Sequence, residues 1–234
     1  MNPIFGTLAL GGLAAVDATP VAQTLLSQPL VTASLLGWLW GDLALALEVG
    51  VVLQILAAST LPVGARTPED YAGGGVVGVG VALALGAGTG FPMGRDACAL
   101  VGVLAGLVGA VLGVPLVKWQ RRRNEGLARW CEAQLRAGHE AALGRASLAA
   151  VVLAFAIGLC FAAVGLAAGV AGLGGLVRDE SMRLARAWTL AEPLWLGLGL
   201  AHLLHAFVQR RLTRAAVFGA ALMGAWLVQM LGTP

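Results

Sequence analysis

The sequence predicts an all-α fold: a polytopic transmembrane helical bundle with short broken or re-entrant helices in its N-terminal half. Three observations predict it. Apolar residues make up 59% of the chain and charged residues only 12%, which would leave a soluble domain with more apolar surface than water tolerates. There are 34 glycines, and seven Trp beside a single Tyr, a composition suited to helices that pack closely in lipid. Mean hydropathy is +0.85, yet the most apolar stretch of the N-terminal half carries Asp42, Glu48 and Gln54.

The apolar runs are Pro3–Val16, Pro29–Thr60, Ala72–Gly90, Cys98–Val117, Ser147–Leu176, Trp188–Val208 and Ala215–Leu231. Each of the last five approaches or exceeds the roughly 20 helical residues that cross a hydrocarbon core. Ser147–Leu176 is longer than needed, and its glycines from Gly165 onward predict a frayed end. The N-terminus has neither a basic n-region nor a convincing cleavage site, so the first run is expected to stay in the mature protein. Residues 1–234 read as one membrane-embedded domain, with 118–146 a cytoplasmic amphipathic connector.

The net charge of +3 is no nucleic-acid signal, because the basic residues report topology instead. Seven Lys/Arg lie between Lys118 and Arg145, and Arg210, Arg211 and Arg214 form a second cluster. One span out and one span back separate the clusters, so both fall on one side, and the positive-inside rule puts that side in the cytoplasm. "RDESMRLAR" then faces outward. The connector is expected to be helical, either solvated, in contact with lipid headgroups or docked to a soluble partner. Glu192-Pro193 is expected near the outer end of its helix, with a capping role. Cys98, Cys131 and Cys160 make no metal or redox spacing and are expected as reduced thiols.

Pro29–Thr60 is 32 residues long, about 48 Å as one straight helix against a core of about 30 Å. It is too long for one span and too short for two. Asp42, Glu48 and Gln54 follow each other at intervals of six, a rotation of about 240° per step. On a straight helix they would point three ways, and one would meet lipid at a high cost. A break at "WGD" removes the conflict, because Gly41 tolerates a turn and Asp42 caps the next helix. Such broken elements survive at membrane depth only where protein or a water-filled cavity shelters them. The polar set, with Asp17, Gln23, Gln28 and "ARTPED", is expected to line a path for a polar solute. Gln54 stands out, because an amide binds hydroxyls without the cost of a buried charge.

The run "QPLV…LLGWLWGD…LEVGVVLQILAASTLPVGARTPEDYAGG" resembles the membrane IIC subunit of the mannose–fructose–sorbose family of the bacterial phosphotransferase system (PTS). The features that carry the resemblance are Pro29-Leu30, Gly41-Asp42, Gly50 to Gln54, Gly64, and Pro68 with Asp70. "GLAHLLHAFVQRRLTRAAVFG" looks like the family's penultimate helix and cytoplasmic turn. The resemblance implies a permease subunit of the bacterial inner membrane that imports a hexose. Its implied partners are a IID membrane subunit and soluble IIA and IIB phosphocarriers, in a homo-oligomer of IIC–IID units. It implies no cofactor, metal, nucleic-acid partner or catalytic nucleophile, since IIB phosphorylates the sugar. The implied sugar-binding residues are Gln28, Asp42, Gln54, Asp70 and His205.

The chain departs from the family pattern at three places. Gln54 stands where Glu is expected, His205 where an amide is expected, and "QTLLSQ" lacks an aromatic-polar-basic mixture. A non-transporting or degenerate subunit with a sensor role is therefore the alternative. His202 and His205 share a helical face without a third metal ligand, so helix packing is the simpler reading. The glycines of "AGGGVVGVGVALALGAGTG" neither follow a strand nor open a soluble helix, which excludes a dinucleotide fingerprint.

Overall fold

The computed structural model describes residues 2–19, 21, 24–58, 67–87, 94–208, 210, 212–213, 215–220 and 223, with only the backbone of 202, 203 and 205–207. Seven helices account for nearly all of them: α1 (Pro3–Ala18), α2 (Pro29–Trp40), α3 (Leu43–Ala58), α4 (Tyr71–Ala87), α5 (Arg95–Arg136), α6 (Ala142–Asp179) and α7 (Ser181–Phe207). No strand occurs among the described residues.

Short polar caps start the short helices. The Asn2 side chain accepts from Ile4 N at 3.0 Å, with Pro3 beginning α1, a position that needs no N–H. Pro29 begins α2 in the same way. The predicted break is present. Gly41 takes φ 80, and Asp42 Oδ1 accepts from Leu45 N at 2.9 Å, as an N-cap does for the third residue of its helix. The resulting hairpin of α2 and α3 has arms of 12 and 16 residues, about 18 and 24 Å, both short of a full crossing. Small residues let its arms touch: Gly37 faces Ala46, and Gly50 faces Ala33.

α4 is the central helix. It packs against α1, α2, α3, α5 and α6, and Val76, Val79, Val81 and Ala82 are wholly buried. It meets α5 backbone to backbone. Gly74, Gly78 and Ala82 recur every four residues on α4, and Gly102, Gly106 and Ala110 do so on α5. A Cβ on Gly78 would lie 2.6 Å from the Gly102 carbonyl oxygen, and one on Gly74 2.5 Å from that of Gly106. This is small-residue packing of the kind that lets helices associate without a hydrophobic driving force. The same device joins α1 to α6, where Gly11 meets Gly158 and Ala162.

α5 and α6 are long and apolar enough to cross a bilayer. At 42 and 38 residues they measure about 63 and 57 Å, so they overreach the core. The connector at 118–146 is largely helical, as its amphipathic pattern predicts: α5 continues through it to Arg136, and α6 begins at Ala142. α6 does not fray after Gly165 but stays helical to Asp179. Gly165 and Gly169 admit Val77 and Val81 of α4, so those glycines are packing positions. α7 begins at Ser181, and Pro193 lies within it instead of in its first turn. α4 as described is 17 residues, about 26 Å, and 88–90 of its predicted run lie outside the described residues. Of the predicted run Ala215–Leu231, only 215–220 and 223 are described.

The α4–α5 seam gives a direct test. Gly78→Leu should destabilise the protein by at least about 2 kcal/mol, the scale of overpacking a tight core. Gly144, whose Cβ would meet nothing within 4 Å, should accept Ala within about 0.5 kcal/mol. Thermal unfolding of both variants in detergent checks the pair.

Candidate functional site

Asp17 organises one wall of a polar cleft. It is buried in the last turn of α1 and gathers the segment that follows. Its Oδ1 accepts from the Thr24 N–H and, at 2.7 Å, from the Thr24 hydroxyl, while Oδ2 accepts from Ser27 N at 2.8 Å. Between these anchors Leu25 takes φ 70, a left-handed conformation that a branched side chain tolerates only where its surroundings hold it. The anchored segment delivers Gln28 and Pro29 to the start of α2.

Gln54, on α3, closes that start. Its Oε1 accepts from Leu30 N at 3.2 Å, and its Nε2 donates to Gln28 Oε1 at 2.9 Å. Gln28 makes no side-chain cap on its own helix, so Gln54 supplies an acceptor to the helix terminus from across the hairpin. Asp70 forms the facing wall. Its Oδ1 accepts from Gly73 N at 3.1 Å, capping α4, and its own N–H donates to the Ala110 carbonyl of α5 at 2.9 Å.

Between these walls lies a cleft of about 260 Å³ whose polar lining includes Thr19, Ser27, Gln28, Asp70, Tyr71 and Arg121. Its volume is just below the roughly 300 Å³ at which ordinary small-molecule pockets begin, a size for one small solute. Arg121 reaches the Thr67 hydroxyl at 3.4 Å. Behind the cleft, Gln120 of α5 is buried and donates to the Thr19 hydroxyl at 3.4 Å. The lining mixes hydroxyls, an amide, a carboxylate and a guanidinium. It therefore offers donors and acceptors to a polyhydroxy solute. Among the described residues no cluster of three or more metal-ligating side chains occurs.

Of the residues singled out in the sequence, the structure brings Gln28 and Asp70 to the cleft wall and sets Gln54 behind Gln28. Asp42 lies at the other end of α3, exposed at the hairpin tip. His205 belongs to the α7 backbone, but its side chain, like that of His202, lies outside the described residues, as do Gln23 and Arg66. Thr19, Ser27, Tyr71 and Arg121 had no place in the sequence reading as site residues, whereas Thr67 came in only as part of "ARTPED". Arg121 counted only as a topology charge, although its place one turn after Val117 was a usable signal.

Glu48 serves a different end of the bundle. It pairs with Arg95 at the start of α5 at 3.3 Å, beside the buried Trp188 of α7. Trp188 is 2% exposed and stacks at a tilt on Trp195, with centroids 5.8 Å apart. These contacts tie α3, α5 and α7 together on the side opposite the cleft.

Comparison with known proteins adds three findings. A family model described as the PTS system sorbose-specific IIC component matches residues 6–233. A solved structure described only as a membrane protein aligns at TM-score 0.65 and 15% identity, over 96% of this chain and 94% of the other. The cryo-EM structure of the mannose transporter ManYZ in complex with microcin E492 (MceA) aligns at TM-score 0.57 and 16% identity, over the same shares of each chain. No curated protein matches.

The role of Gln54 at the α2 terminus predicts a local effect. Gln54→Leu removes both hydrogen bonds and leaves Leu30 N without that acceptor, a loss of about 2 kcal/mol. Hydrogen exchange of the Leu30–Thr32 amides should accelerate by about 30-fold, with exchange in α6 unchanged. Asp17→Asn should expose the 24–27 segment to limited proteolysis, because an amide oxygen cannot replace a carboxylate that accepts three hydrogen bonds.

Proposed function

The chain belongs to the PTS sorbose-specific IIC component family, and on that premise we propose that it is the sugar-translocating subunit of a hexose permease. As a family member with this helical architecture it is an integral membrane protein. The proposal places it, multi-pass, in a bacterial inner membrane beside a IID subunit. Soluble IIA and IIB proteins phosphorylate the sugar as it leaves the cleft, and IIC–IID units associate into a homo-oligomer.

The observation that carries this reading is the polar cleft at the basic end of the bundle. Arg121 lines it and belongs to the cluster that the positive-inside rule assigns to the cytoplasm. A sugar bound there faces the compartment that holds IIB. Asp70 accepts backbone bonds from the first turn of α4, and a carboxylate has lone pairs left for a sugar hydroxyl. Gln28, held by Gln54, offers amide N–H groups in a fixed direction. Arg121 supplies a guanidinium where an incoming phosphoryl group would approach, a role suited to its planar fork. Phosphoryl transfer itself forms the bond between a sugar oxygen and phosphorus and breaks the bond to the IIB histidine. The chain's contribution is to hold the hydroxyl in place.

Sugar uptake decides the matter. The chain is co-expressed with its IID and IIB partners in cells lacking other hexose permeases. Phosphorylated hexose should accumulate, and Gln28→Ala or Asp70→Asn should cut uptake about tenfold, the scale of one hydrogen bond to a charged group. Asp42→Ser keeps a capping oxygen and should leave uptake within about twofold. An assembled complex that phosphorylates no hexose overturns the proposal in favour of a non-transporting sensor subunit.

A further inference from the structure

We propose that the seam between α5 and α6 is a binding site for an anionic phospholipid of the leaflet on the basic side. Two grooves lie along this seam. The first, of about 700 Å³, is lined by Trp119, Arg122, Arg123 and Arg129 of α5 and by Ala149 and Leu153 of α6. The second, of about 430 Å³, is apolar, with Leu104, Val108 and Leu112 of α5 facing Phe161, Val164 and Gly165 of α6.

The two grooves share helix faces. On α5, Leu104, Val108, Leu112, Trp119 and Arg123 are separated by steps of four, four, seven and four, the spacing of one helical face. On α6, Ala149, Leu153, Phe161 and Gly165 follow in steps of four or eight. Leu112 to Trp119 is about 10 Å of rise, and Leu153 to Phe161 about 12 Å. The headgroup layer of one leaflet is about 5–8 Å thick, so a phosphodiester at Trp119 puts upper acyl-chain carbons level with Leu112. Positive charge thus sits toward one end of the helix faces that also line the apolar groove.

The charges are available. Among the described residues, Arg122, Arg123 and Arg129 make no ion pair within 4.0 Å. Arg123 lies over the Trp119 ring at 5.1 Å, and Trp119 is 41% exposed, as interfacial tryptophans are. Basic pockets between transmembrane helices are suited to anionic headgroups. The occupant follows from the combination. A soluble phosphoprotein would leave the apolar groove bare. A transmembrane partner helix would satisfy the three guanidinium groups only if it brought carboxylates to the same level. An anionic phospholipid satisfies both ends, with its phosphodiester on the arginines and an acyl chain along Val108 and Leu112.

The test needs no sugar, so it stands apart from transport. The purified chain with its IID partner, in neutral detergent, is titrated with phosphatidylglycerol, phosphatidylcholine and glycerol phosphate, and bound species are counted by native mass spectrometry. Phosphatidylglycerol should bind at least about tenfold more tightly than either of the others. The triple variant R122Q/R123Q/R129Q should lose about tenfold of that affinity, while R122K/R123K/R129K should stay within about threefold. Val108→Trp, which fills the apolar groove, should weaken phosphatidylglycerol without altering glycerol phosphate. Equal binding of the glutamine variant, of phosphatidylcholine or of glycerol phosphate overturns the proposal. So does a crosslink from residue 108 to the IID subunit, which would show a partner helix in the groove.

Discussion

The structure depends on the close approach of α4 and α5. α4 is buried among five helices, and at Gly74, Gly78, Gly102 and Gly106 it lies against α5 with no room for a side chain. In lipid there is little hydrophobic gain from hiding one apolar helix against another, so dispersion and backbone approach carry the association. The consequence reaches the cleft. Because α4 and α5 touch, the Asp70 N–H reaches the Ala110 carbonyl, and Gly113 leaves room for the Asp70 side chain. The carboxylate that lines the cleft is therefore set by the same seam that fixes the core.

The hairpin of α2 and α3 answers a second constraint. A chain that turns within the bundle frees backbone donors and acceptors that need partners at membrane depth. Three helix starts have one. Asp42 serves the start of α3, Gln54 serves the start of α2, and Asp70 serves the start of α4. Polar side chains in the N-terminal half are thus tied first to helix termini. The starts of α2 and α4 converge at the basic end, where Gln28 and Asp70 line the cleft.

The break at Gly41-Asp42 was legible because length alone forbade a single helix and because Gly-Asp is a local signal. Asp70 and Gln28 were legible as polar residues in an apolar setting. The extents of α5, α6 and α7 were not. Hydropathy marks where a helix is apolar, whereas α5 continues through "KWQRRRNEGLARW" on helix propensity and amphipathicity. The glycines after Gly165 mislead for a related reason. Glycine weakens an isolated helix, but here it admits Val77 and Val81, and which meaning applies depends on a neighbour distant in sequence. The anchoring of Thr24 and Ser27 by Asp17 was hidden in the same way, since no local pattern marks a carboxylate that reaches seven and ten residues ahead.

Gln54 stands where the resemblance led to an expectation of glutamate, and the geometry bears on what either residue would do there. The direction of its amide is fixed by Leu30, because a backbone N–H requires an acceptor and so takes Oε1. Nε2 then faces Gln28 Oε1 and donates to it. A glutamate at this position could still accept from Leu30, but as a carboxylate it has no proton for Gln28. It would instead turn a second acceptor toward an acceptor unless Gln28 flipped its own amide. Gln54 and Gln28 thus form a matched pair. An uncharged residue here lowers the desolvation cost of the α2 terminus while keeping an amide at the cleft wall. A glutamine here, compared with a glutamate, changes what Gln28 presents to a solute without removing its ability to present an amide.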